Sequence, residues 1–274
     1  MSPLVSVIMP VYNGERYLAA AIQSVLNQSY QQLELLIVND GSTDGSEAII
    51  RQFTDTRIRY FSQSNAGVSV ARNIALANMK GEFFCCLDGD DVLPTNSIQS
   101  RMEVFDRSSS IAFVDGFVQV YDATLQKPLY QWRPREQGRI YKELIRLTGN
   151  CFFGPTWLIK RMSETNYRFV EGMTHGEDLL FYISIANDGE YAYTEDCILH
   201  YRKNEQSVMN NLSGLGRGYT FLASKLAEMN GADFTLWDRF VFHLKVRKIM
   251  FLSFCSNQDY RKAFEYVILG KTRD

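Results

Sequence analysis

Short apolar runs alternate with segments of helical periodicity along the first hundred residues, and this alternation restricts the fold more than any other feature of the chain. The apolar runs occupy residues 5–9, 33–38, 58–61 and 83–87, and the helical segments between them occupy residues 15–28, 43–53 and 68–79. Apolar residues predominate in each run without a regular polar alternation along its length, which is typical of parallel strands covered on both faces. The pattern predicts an α/β fold with an open, doubly wound, mainly parallel sheet.

Composition narrows the class of protein. The chain has 274 residues, 46% of them hydrophobic and 22% charged, so it is long and apolar enough to bury a large core. Its net charge of −2 gives no overall basic field, and we expect no nucleic-acid partner. The five cysteines lack the spacing of a zinc site or a disulfide framework, and the sequence shows no signal peptide and no long apolar span. We therefore expect a cytoplasmic location.

Polar loops follow three of the predicted strands, at residues 10–15, 39–45 and 88–91. Ligands of open parallel sheets bind at the carboxyl ends of the strands, so these loops form the predicted binding edge. An aspartate in such a loop either caps the next helix or contacts a ligand, and for Asp40 and Asp44 both interpretations are open.

Three carboxylates, those of Asp88, Asp90 and Asp91, lie in one short turn after the last of these strands. They repel one another unless a cation or hydrogen-bond donors stand between them. Oxygen ligands on a short turn suit Mn²⁺ or Mg²⁺, with diphosphate oxygens and water in the remaining positions. The alternative is a solvated acidic turn in which Asp91 caps the following helix.

Five motifs occur in order across the same region: VSVIMPVYN at 5–13, IVNDGSTD at 37–44, NxG at 65–67, ARN at 71–73 and LDGDD at 87–91. This series resembles the family-two inverting glycosyltransferases, which have the Rossmann-like GT-A fold. A looser match follows at Gly176-Glu177-Asp178. The resemblance implies a nucleotide-sugar donor, a UDP-sugar in our interpretation, and Mn²⁺ or Mg²⁺ as the cofactor.

The resemblance also implies roles for individual residues on the donor side. The residues expected to bind the donor are Pro10, Val11, Tyr12, Asp40, Asn65, Arg72, Asp88, Gly89 and Asp90. In the family the first of these segments borders the nucleotide base, and the acid matched by Asp40 hydrogen-bonds the base. In the Asp-x-Asp signature Asp88 would face the ribose and sugar, and Asp90 would bind the metal ion. The alternative for Arg72 is a solvated residue or a structural ion pair.

The second half must supply the acceptor site and a base. The family pattern makes Asp178 the catalytic base and places Glu177 toward the acceptor, whereas the alternative is that both acids complement a helix dipole. Trp157 is expected to stack on an acceptor sugar, with the protein core as its alternative location. Many relatives carry a metal-binding histidine near residue 204. Here Asn204 occupies that slot, and we expect the nearby His200 as the ligand, with a structural histidine as the alternative.

The chain changes character after about residue 216. We predict a glycosyltransferase domain at 1–215, with a nucleotide-sugar half at 1–110 and an acceptor half at 111–215, followed by a helical extension at 216–274. Apolar and basic residues interleave in the extension, which indicates peripheral contact with an anionic membrane surface. The alternatives are packing on the catalytic domain or on a second subunit of a homodimer.

The sequence therefore predicts a metal-dependent inverting glycosyltransferase, a hexosyltransferase acting on a glycan or a lipid-linked glycan. The setting implied by the resemblance is lipopolysaccharide, O-antigen or capsule-type polysaccharide biosynthesis. Two alternatives come from other classes of protein. One is a Mg²⁺-dependent phosphatase of the haloacid-dehalogenase type, and the other is a catalytically inactive carbohydrate-binding protein with the GT-A fold.

Overall fold

A computed structural model describes residues 2–204, 211–229 and 234–269. The strands are β1 (Val5–Val11), β2 (Leu33–Asp40), β3 (Ile58–Gln63), β4 (Phe83–Cys86), β5 (Ile111–Tyr121), β6 (Pro128–Trp132), β7 (Leu158–Lys160) and β8 (Glu190–Arg202). The helices are α1 (Leu18–Leu26), α2 (Ser46–Arg51), α3 (Val68–Asn78), α4 (Ser97–Phe105), α5 (Tyr141–Ile145), α6 (Glu177–Ile185), α7 (Leu212–Met229), α8 (Leu236–Ser256) and α9 (Tyr260–Leu269).

One eight-stranded sheet organises the molecule, with the strand order β3-β2-β1-β4-β7-β5-β6 and β8 paired to β5. The first four strands are mutually parallel. The short strand β7 runs antiparallel to both β4 and β5, so it joins the two halves of the sheet. The α/β prediction with a mainly parallel sheet is confirmed, and the antiparallel strands lie in the half where sequence motifs are sparse.

The burial of β1 and β2 explains why most of their residues are apolar. All residues of both strands are buried, because helices cover the sheet on both sides. Successive side chains of a strand point to opposite faces. Val7 and Met9 accordingly pack with Ile22 of α1, whereas Ile8 packs with Ala71 of α3 in a separate core cluster.

Trp157 lies in the core rather than at a sugar-binding surface. Its side chain is fully buried, its ring stacks on that of Tyr182 at 3.9 Å, and its indole Nε1 donates to the Cys151 carbonyl. The expectation that Trp157 stacks on an acceptor is therefore wrong. The physical reason is that Tyr182 of α6 stacks on the ring, and Phe113 of β5 and Tyr191 of β8 pack against it, so no surface of the ring is exposed.

The C-terminal helices pack on the catalytic domain along one face. Phe242, Val246, Met250 and Phe254 of α8 are buried and belong to the same core cluster as Trp157. The packing alternative therefore holds for this inner face. The boundary predicted at residue 216 falls inside α7. Among the helices that the structure describes, none is long and apolar enough to cross a membrane.

Candidate active site

The loops after β1 and β2 are tied into one rim at the carboxyl edge of the sheet. The Asn13 amide nitrogen donates to Ser42 Oγ at 3.0 Å, and Asn13 Oδ1 accepts from the Thr43 amide at 2.8 Å. The Glu15 amide donates to Asp44 Oδ2 at 3.0 Å. These reciprocal bonds satisfy loop backbone groups that no strand or helix pairs, so the rim holds a defined shape.

Tyr12 is the residue of its motif that offers a side chain to a ligand. Its ring is 55% exposed at the end of β1. Pro10 and Val11 lie within β1 and are buried, so their side chains belong to the core and only their backbone faces the edge. The donor-binding roles of this segment remain predictions.

Asp40, the last residue of β2, holds the loop that precedes α3. Its carboxylate accepts from the Gln63 side chain and from the amides of Ala66 and Gly67, the latter two at 2.8 Å. The Asn65 side chain donates to the Asp40 carbonyl at 3.1 Å. Protein donors therefore surround Asp40, and these hydrogen bonds hold residues 65–67 at the rim.

Gly41 makes the turn after Asp40. Its φ of 72° lies in the left-handed region, and a Cβ at this position would approach the Asn65 amide nitrogen to 2.6 Å. Glycine is needed here for both reasons, because a side chain would strain the backbone and separate the two loops.

Arg72 connects the two halves of the molecule. It is buried in α3 and donates to Asp88 Oδ1 at 2.9 Å and to Glu177 Oε1 at 3.0 Å, with Phe169 packed against its guanidinium. Burial opposes the charge of Arg72, but the neighbouring Asp88, Cys86 and Glu177 outweigh burial and raise its pKa. The ion-pair alternative for Arg72 is therefore present in the structure, and this ion pair joins two predicted site residues.

The acidic turn after β4 is clamped to the end of β8. The Arg202 amide donates to Asp91 Oδ1 at 2.8 Å, and its guanidinium donates to the Asp90 carbonyl at 2.7 Å. Asp91 is 3% exposed and lies several residues before α4 begins at Ser97, so it anchors the turn and does not cap that helix.

The surroundings of this turn disfavour the charged forms of the Asp90 and Asp91 carboxyl groups. Burial, followed by the neighbouring Asp88, raises the pKa of Asp90 to about 6. Burial and the charge of Asp90 also raise the pKa of Asp91 well above its usual value. Raised carboxyl pKa values are common at functional sites, and a bound cation would offset the crowding of negative charge at this turn.

His200 does not complete a metal site with Asp90. Its ring packs edge-to-face against Tyr121 at 5.1 Å, and the side chain that reaches Asp90 Oδ2 is that of Asn204, with its Nδ2 at 2.8 Å. Within residues 2–204, 211–229 and 234–269, no three His, Cys, Asp or Glu side chains converge as a metal site. The structural alternative for His200 therefore holds.

The oxygen atoms around Asp90 nevertheless fit a divalent cation. Asn204 Oδ1 is buried and has no hydrogen-bond partner among the described residues, and it belongs to the same amide that contacts Asp90. An unpaired amide oxygen beside a crowded carboxylate is a hard donor set of the kind that Mg²⁺ and Mn²⁺ prefer.

The predicted base lies at the start of α6. Gly176 precedes the helix in the left-handed conformation with a φ of 76°, and Glu177 and Asp178 form its first turn. Burial, followed by the charge of Glu177, raises the pKa of Asp178, while Arg72 acts in the opposite direction. The two acids thus differ, because Glu177 pairs with Arg72 and Asp178 does not.

Two further residues of the site are not evident from the motifs. Arg202 holds the acidic turn, and Phe169 packs against the Arg72 guanidinium. Each lies far from its partner in sequence, and an arginine or a phenylalanine carries no local signal for such a contact. For the contact between Asn204 and Asp90 the sequence did contain a signal, because Asn204 occupies the position where many relatives carry a histidine.

Comparisons with known proteins identify the family and the fold. The family model described as glycosyl transferase family 2 matches residues 6–167. A Bacillus subtilis protein named as the teichuronic acid biosynthesis glycosyltransferase TuaG is 30% identical over 214 residues, which cover 76% of this chain and 82% of the relative. An uncharacterised glycosyltransferase of Rickettsia typhi is 43% identical over 106 residues, which cover 39% of this chain and 33% of the relative.

Solved structures with the same fold extend over nearly the whole chain. S. aureus TarS 1–349 in complex with UDP-GlcNAc has a TM-score of 0.66 at 17% identity, covering 98% of this chain and 93% of that one. The mannosyltransferase PcManGT from Pyrobaculum calidifontis, in complex with GDP-Man and Mn²⁺, has a TM-score of 0.65 at 18% identity, covering 93% and 76%. The predicted family and fold are confirmed: this chain belongs to glycosyl transferase family 2 and has the GT-A fold.

Proposed function

We propose that this chain transfers a hexosyl group from a UDP-sugar to a hydroxyl of a glycan or a lipid-linked glycan, with inversion at the anomeric carbon. The observation that carries the proposal is the link from Asp88 through Arg72 to Glu177, because it connects the acidic turn to the first turn of α6, which contains Asp178. A donor site and a base from opposite halves of the chain meet there. The UDP-GlcNAc bound by the TarS structure supports the nucleotide class.

On the donor side, the site must stabilise the negative charge of the diphosphate leaving group. Breaking the glycosidic bond leaves negative charge on the diphosphate, and stabilising that charge lowers the barrier. Asp90 and Asn204 would hold a Mn²⁺ or Mg²⁺ ion, which supplies Lewis-acid stabilisation of the diphosphate when bound. Asp88, whose side chain is 38% exposed, faces the cleft and is oriented by Arg72 toward the ribose and sugar.

On the acceptor side, Asp178 removes a proton. The acceptor oxygen attacks the anomeric carbon from the face opposite the diphosphate, its proton passes to the Asp178 carboxylate, and UDP leaves. A general base works best when its pKa lies near the working pH, and burial raises the pKa of Asp178 from the ordinary aspartate range in that direction. Glu177 stays paired with Arg72 and positions the start of α6.

The acceptor that we propose is a bacterial surface polysaccharide or its lipid-linked precursor. The support is the name of the B. subtilis relative, which refers to teichuronic acid biosynthesis. Lipopolysaccharide, O-antigen and capsule remain predicted settings within this class.

The two alternatives from the sequence have different outcomes. The phosphatase interpretation is wrong because the chain belongs to family 2, and β1 continues into Tyr12 and Asn13 without a nucleophilic aspartate. The alternative of an inactive carbohydrate-binding protein is distinguished from a transferase only by measuring whether the protein transfers sugar.

Thermal melting with nucleotides tests the proposed donor. A ligand that binds the folded state raises the melting temperature by mass action. We expect UDP with Mn²⁺ to raise it, GDP with Mn²⁺ to do so less, and Asp90→Ala to lose the Mn²⁺-dependent part. A matched control is Asp106→Ala, which removes an acid at the end of α4. The absence of any nucleotide effect would contradict the proposal, and binding of UDP-sugars without release of UDP would favour the inactive alternative.

The outer face of the C-terminal helices supports a second part of the proposal, peripheral contact with an anionic membrane surface. Trp237, Phe240 and Leu244 are 62%, 54% and 49% exposed along α8, and the neighbouring Arg247 and Lys248 are exposed as well. The acid of this helix, Asp238, is buried. Exposed apolar side chains among cations match the interface of a bilayer that contains acidic lipids.

Sedimentation with vesicles tests this contact. We expect the protein to bind phosphatidylglycerol vesicles more strongly than phosphatidylcholine vesicles, and Phe240→Ser with Leu244→Ser to weaken binding. Tyr130→Ser, which removes a ring that is 53% exposed on β6, is the matched control. Equal binding of all variants would contradict the proposal. A change from dimer to monomer in light scattering of the double variant would instead favour the homodimer.

A further inference from the structure

We infer that the side-chain oxygen of Asn204 is a protein ligand of the divalent cation, so that both ligands assigned among the described residues, Asp90 and Asn204, bind it through oxygen atoms. The inference rests on the proposed function, which assigns the cation to Asp90, and it identifies the second protein ligand. It also replaces His200, whose ring packs on Tyr121.

The first argument is the unpaired oxygen. Asn204 Oδ1 is buried without a hydrogen-bond partner among the described residues, although its Nδ2 donates to Asp90 Oδ2. A buried amide oxygen without a partner destabilises a fold because no hydrogen bond offsets its loss of hydration, and few such atoms occur in native proteins. An oxygen atom kept in this state next to a carboxylate points to a ligand that the oxygen contacts when the site is filled.

The second argument is distance. In the structure Nδ2 faces Asp90 and the unpaired Oδ1 does not; on cation binding, a half-turn of the Asn204 amide would exchange the two atoms and bring Oδ1 to the position of Nδ2, 2.8 Å from Asp90 Oδ2. Adjacent oxygen ligands of an octahedral Mg²⁺ ion, each 2.0–2.1 Å from the metal, lie about 2.9 Å apart. The two side chains are therefore already spaced as neighbouring ligands.

The third argument is that the backbone near Asn204 is fixed. Two residues earlier, Arg202 donates its amide to Asp91 Oδ1, its Nε to the Asp90 carbonyl and its Nη1 to the Ala123 carbonyl. These bonds hold the end of β8 on the acidic turn. Asn204 thus reaches Asp90 because of the backbone geometry and needs no large movement to bind a cation.

The chemical consequence concerns metal selectivity. Carboxylate and amide oxygens suit Mg²⁺ and Mn²⁺, whereas an imidazole nitrogen favours Ni²⁺, Co²⁺ and Zn²⁺. A histidine introduced at position 204 would supply such a nitrogen at the same place. The variant Asn204→His should therefore change which metals bind, and a residue with a merely structural role would not produce that change.

The experiment measures cation binding directly. Free Mn²⁺ is titrated by electron paramagnetic resonance in the presence of UDP, and Ni²⁺ and Mg²⁺ are measured by competition. We expect Asn204→Leu to weaken Mn²⁺ binding at least about tenfold, because even the loss of an outer partner of a metal ligand costs that much. We expect Asn204→His to raise the ratio of Ni²⁺ to Mg²⁺ affinity by a similar factor. Asn187→Leu and Asn187→His, at an exposed position, are the matched controls.

The outcomes separate this inference from the proposed function. Unchanged Mn²⁺ affinity in a folded Asn204→Leu protein, or an unchanged metal ratio in Asn204→His, would overturn the inference alone. UDP binding by the wild type without any Mn²⁺ binding would also overturn it and leave the donor class standing. A wild type that binds neither UDP nor Mn²⁺ would overturn both. If Asn204→Leu does not fold, the Asn204→His measurement decides.

Discussion

Asp178 and Asp238 occupy the same kind of position, the first turn of a helix, in opposite electrostatic environments. Asp238 of α8 accepts from Lys142 Nζ at 2.7 Å and from Arg146 Nε at 2.8 Å, and it forms a capping box with Thr235. Asp178 of α6 accepts from the adjacent Leu179 amide and lies beside the like charge of Glu177. In the sequence both are acids that could complement a helix dipole.

The pKa values of the two carboxyl groups move in opposite directions. Burial opposes the charge of Asp238, but the hydrogen bonds from Lys142, Thr235 and Arg146 outweigh burial and lower its pKa. Burial and Glu177 raise the pKa of Asp178. The surroundings of Asp238 thus stabilise its charged form and the fold. The surroundings of Asp178 raise its proton affinity, as a general base requires. The comparison teaches that tertiary neighbours, rather than helix position, assign the role of an acidic residue.

The same substitution at both sites gives the sharpest test, and its largest effect is at Asp178. Asp178→Asn keeps the size of the side chain and removes the base, so we expect the transfer rate to fall by about 10²–10⁴-fold with UDP-sugar affinity nearly unchanged. Transfer kinetics and donor binding measure the two effects. A wild-type transfer rate in this variant would exclude Asp178 as the base.

The melting temperature of Asp178→Asn adds a second measurement. A carboxyl group whose pKa is raised on folding contributes less to stability as the pH rises above its unfolded value of roughly 4. The neutral asparagine avoids this loss, so we expect the variant to melt above the wild type at pH 8. A lower melting temperature would show that Asp178 is a stabilising residue like Asp238.

Asp238→Asn should have the reverse consequences. The variant loses two charged hydrogen bonds and weakens the capping box, and we expect a loss of about 1–3 kcal/mol in unfolding free energy without loss of the chemical step. Denaturant unfolding measures the first effect and saturating turnover the second. A transfer defect as large as that of Asp178→Asn in a folded protein would break the distinction between the sites.

The pH dependence of unfolding follows from the same pKa. Because the pKa of Asp238 is lowered by folding, its contribution is complete above roughly pH 4 and is lost as the pH falls through its folded value. The stability difference between the wild type and Asp238→Asn should therefore shrink in acid. A constant difference from pH 7 to pH 3 would contradict this account.

Packing behind the base gives a smaller effect. A Cβ on Gly218 of α7 would lie 2.6 Å from the His175 carbonyl oxygen, just before the base helix, whereas a Cβ on Gly216 meets nothing closer than 3.4 Å. We expect Gly218→Ala to cost about 1–3 kcal/mol in stability and to lower turnover, and Gly216→Ala to resemble the wild type. The melting temperatures and turnover rates of the two variants measure how strongly α7 is coupled to the site. Equal melting temperatures and rates for Gly218→Ala and Gly216→Ala would argue against this coupling.

The smallest expected effect is a shift of the pH profile. Glu177→Gln removes the like charge that raises the pKa of Asp178, so the acidic limb of kcat/KM should move to lower pH. Glu164→Gln, at an exposed position, is the matched control. A limb that stays in place would mean that Glu177 does not set the proton affinity of the base.

Much of the donor half could be predicted from sequence because its signals are local. Continuous apolar runs fix buried parallel strands, and each run ends in the loop that forms the site, so the positions of Asp40 and Asp88 follow from strand boundaries. The acceptor half gave fewer signals. Trp157 and His200 were both expected at the ligand, yet Trp157 is buried in the core and the half-buried His200 packs against Tyr121. Aromatic side chains occur in cores and in sites, and only their neighbours distinguish the two.

The sequence by itself determined the α/β class, the family and the edge of the sheet where ligands are expected, because periodicity and short motifs are properties of consecutive residues. Only the tertiary structure decided which charges meet. Arg72 contacts Glu177, and Asn204 contacts Asp90, across more than a hundred residues of chain. Electrostatic interactions depend on distance and burial in space, and these quantities exist only once the chain has folded.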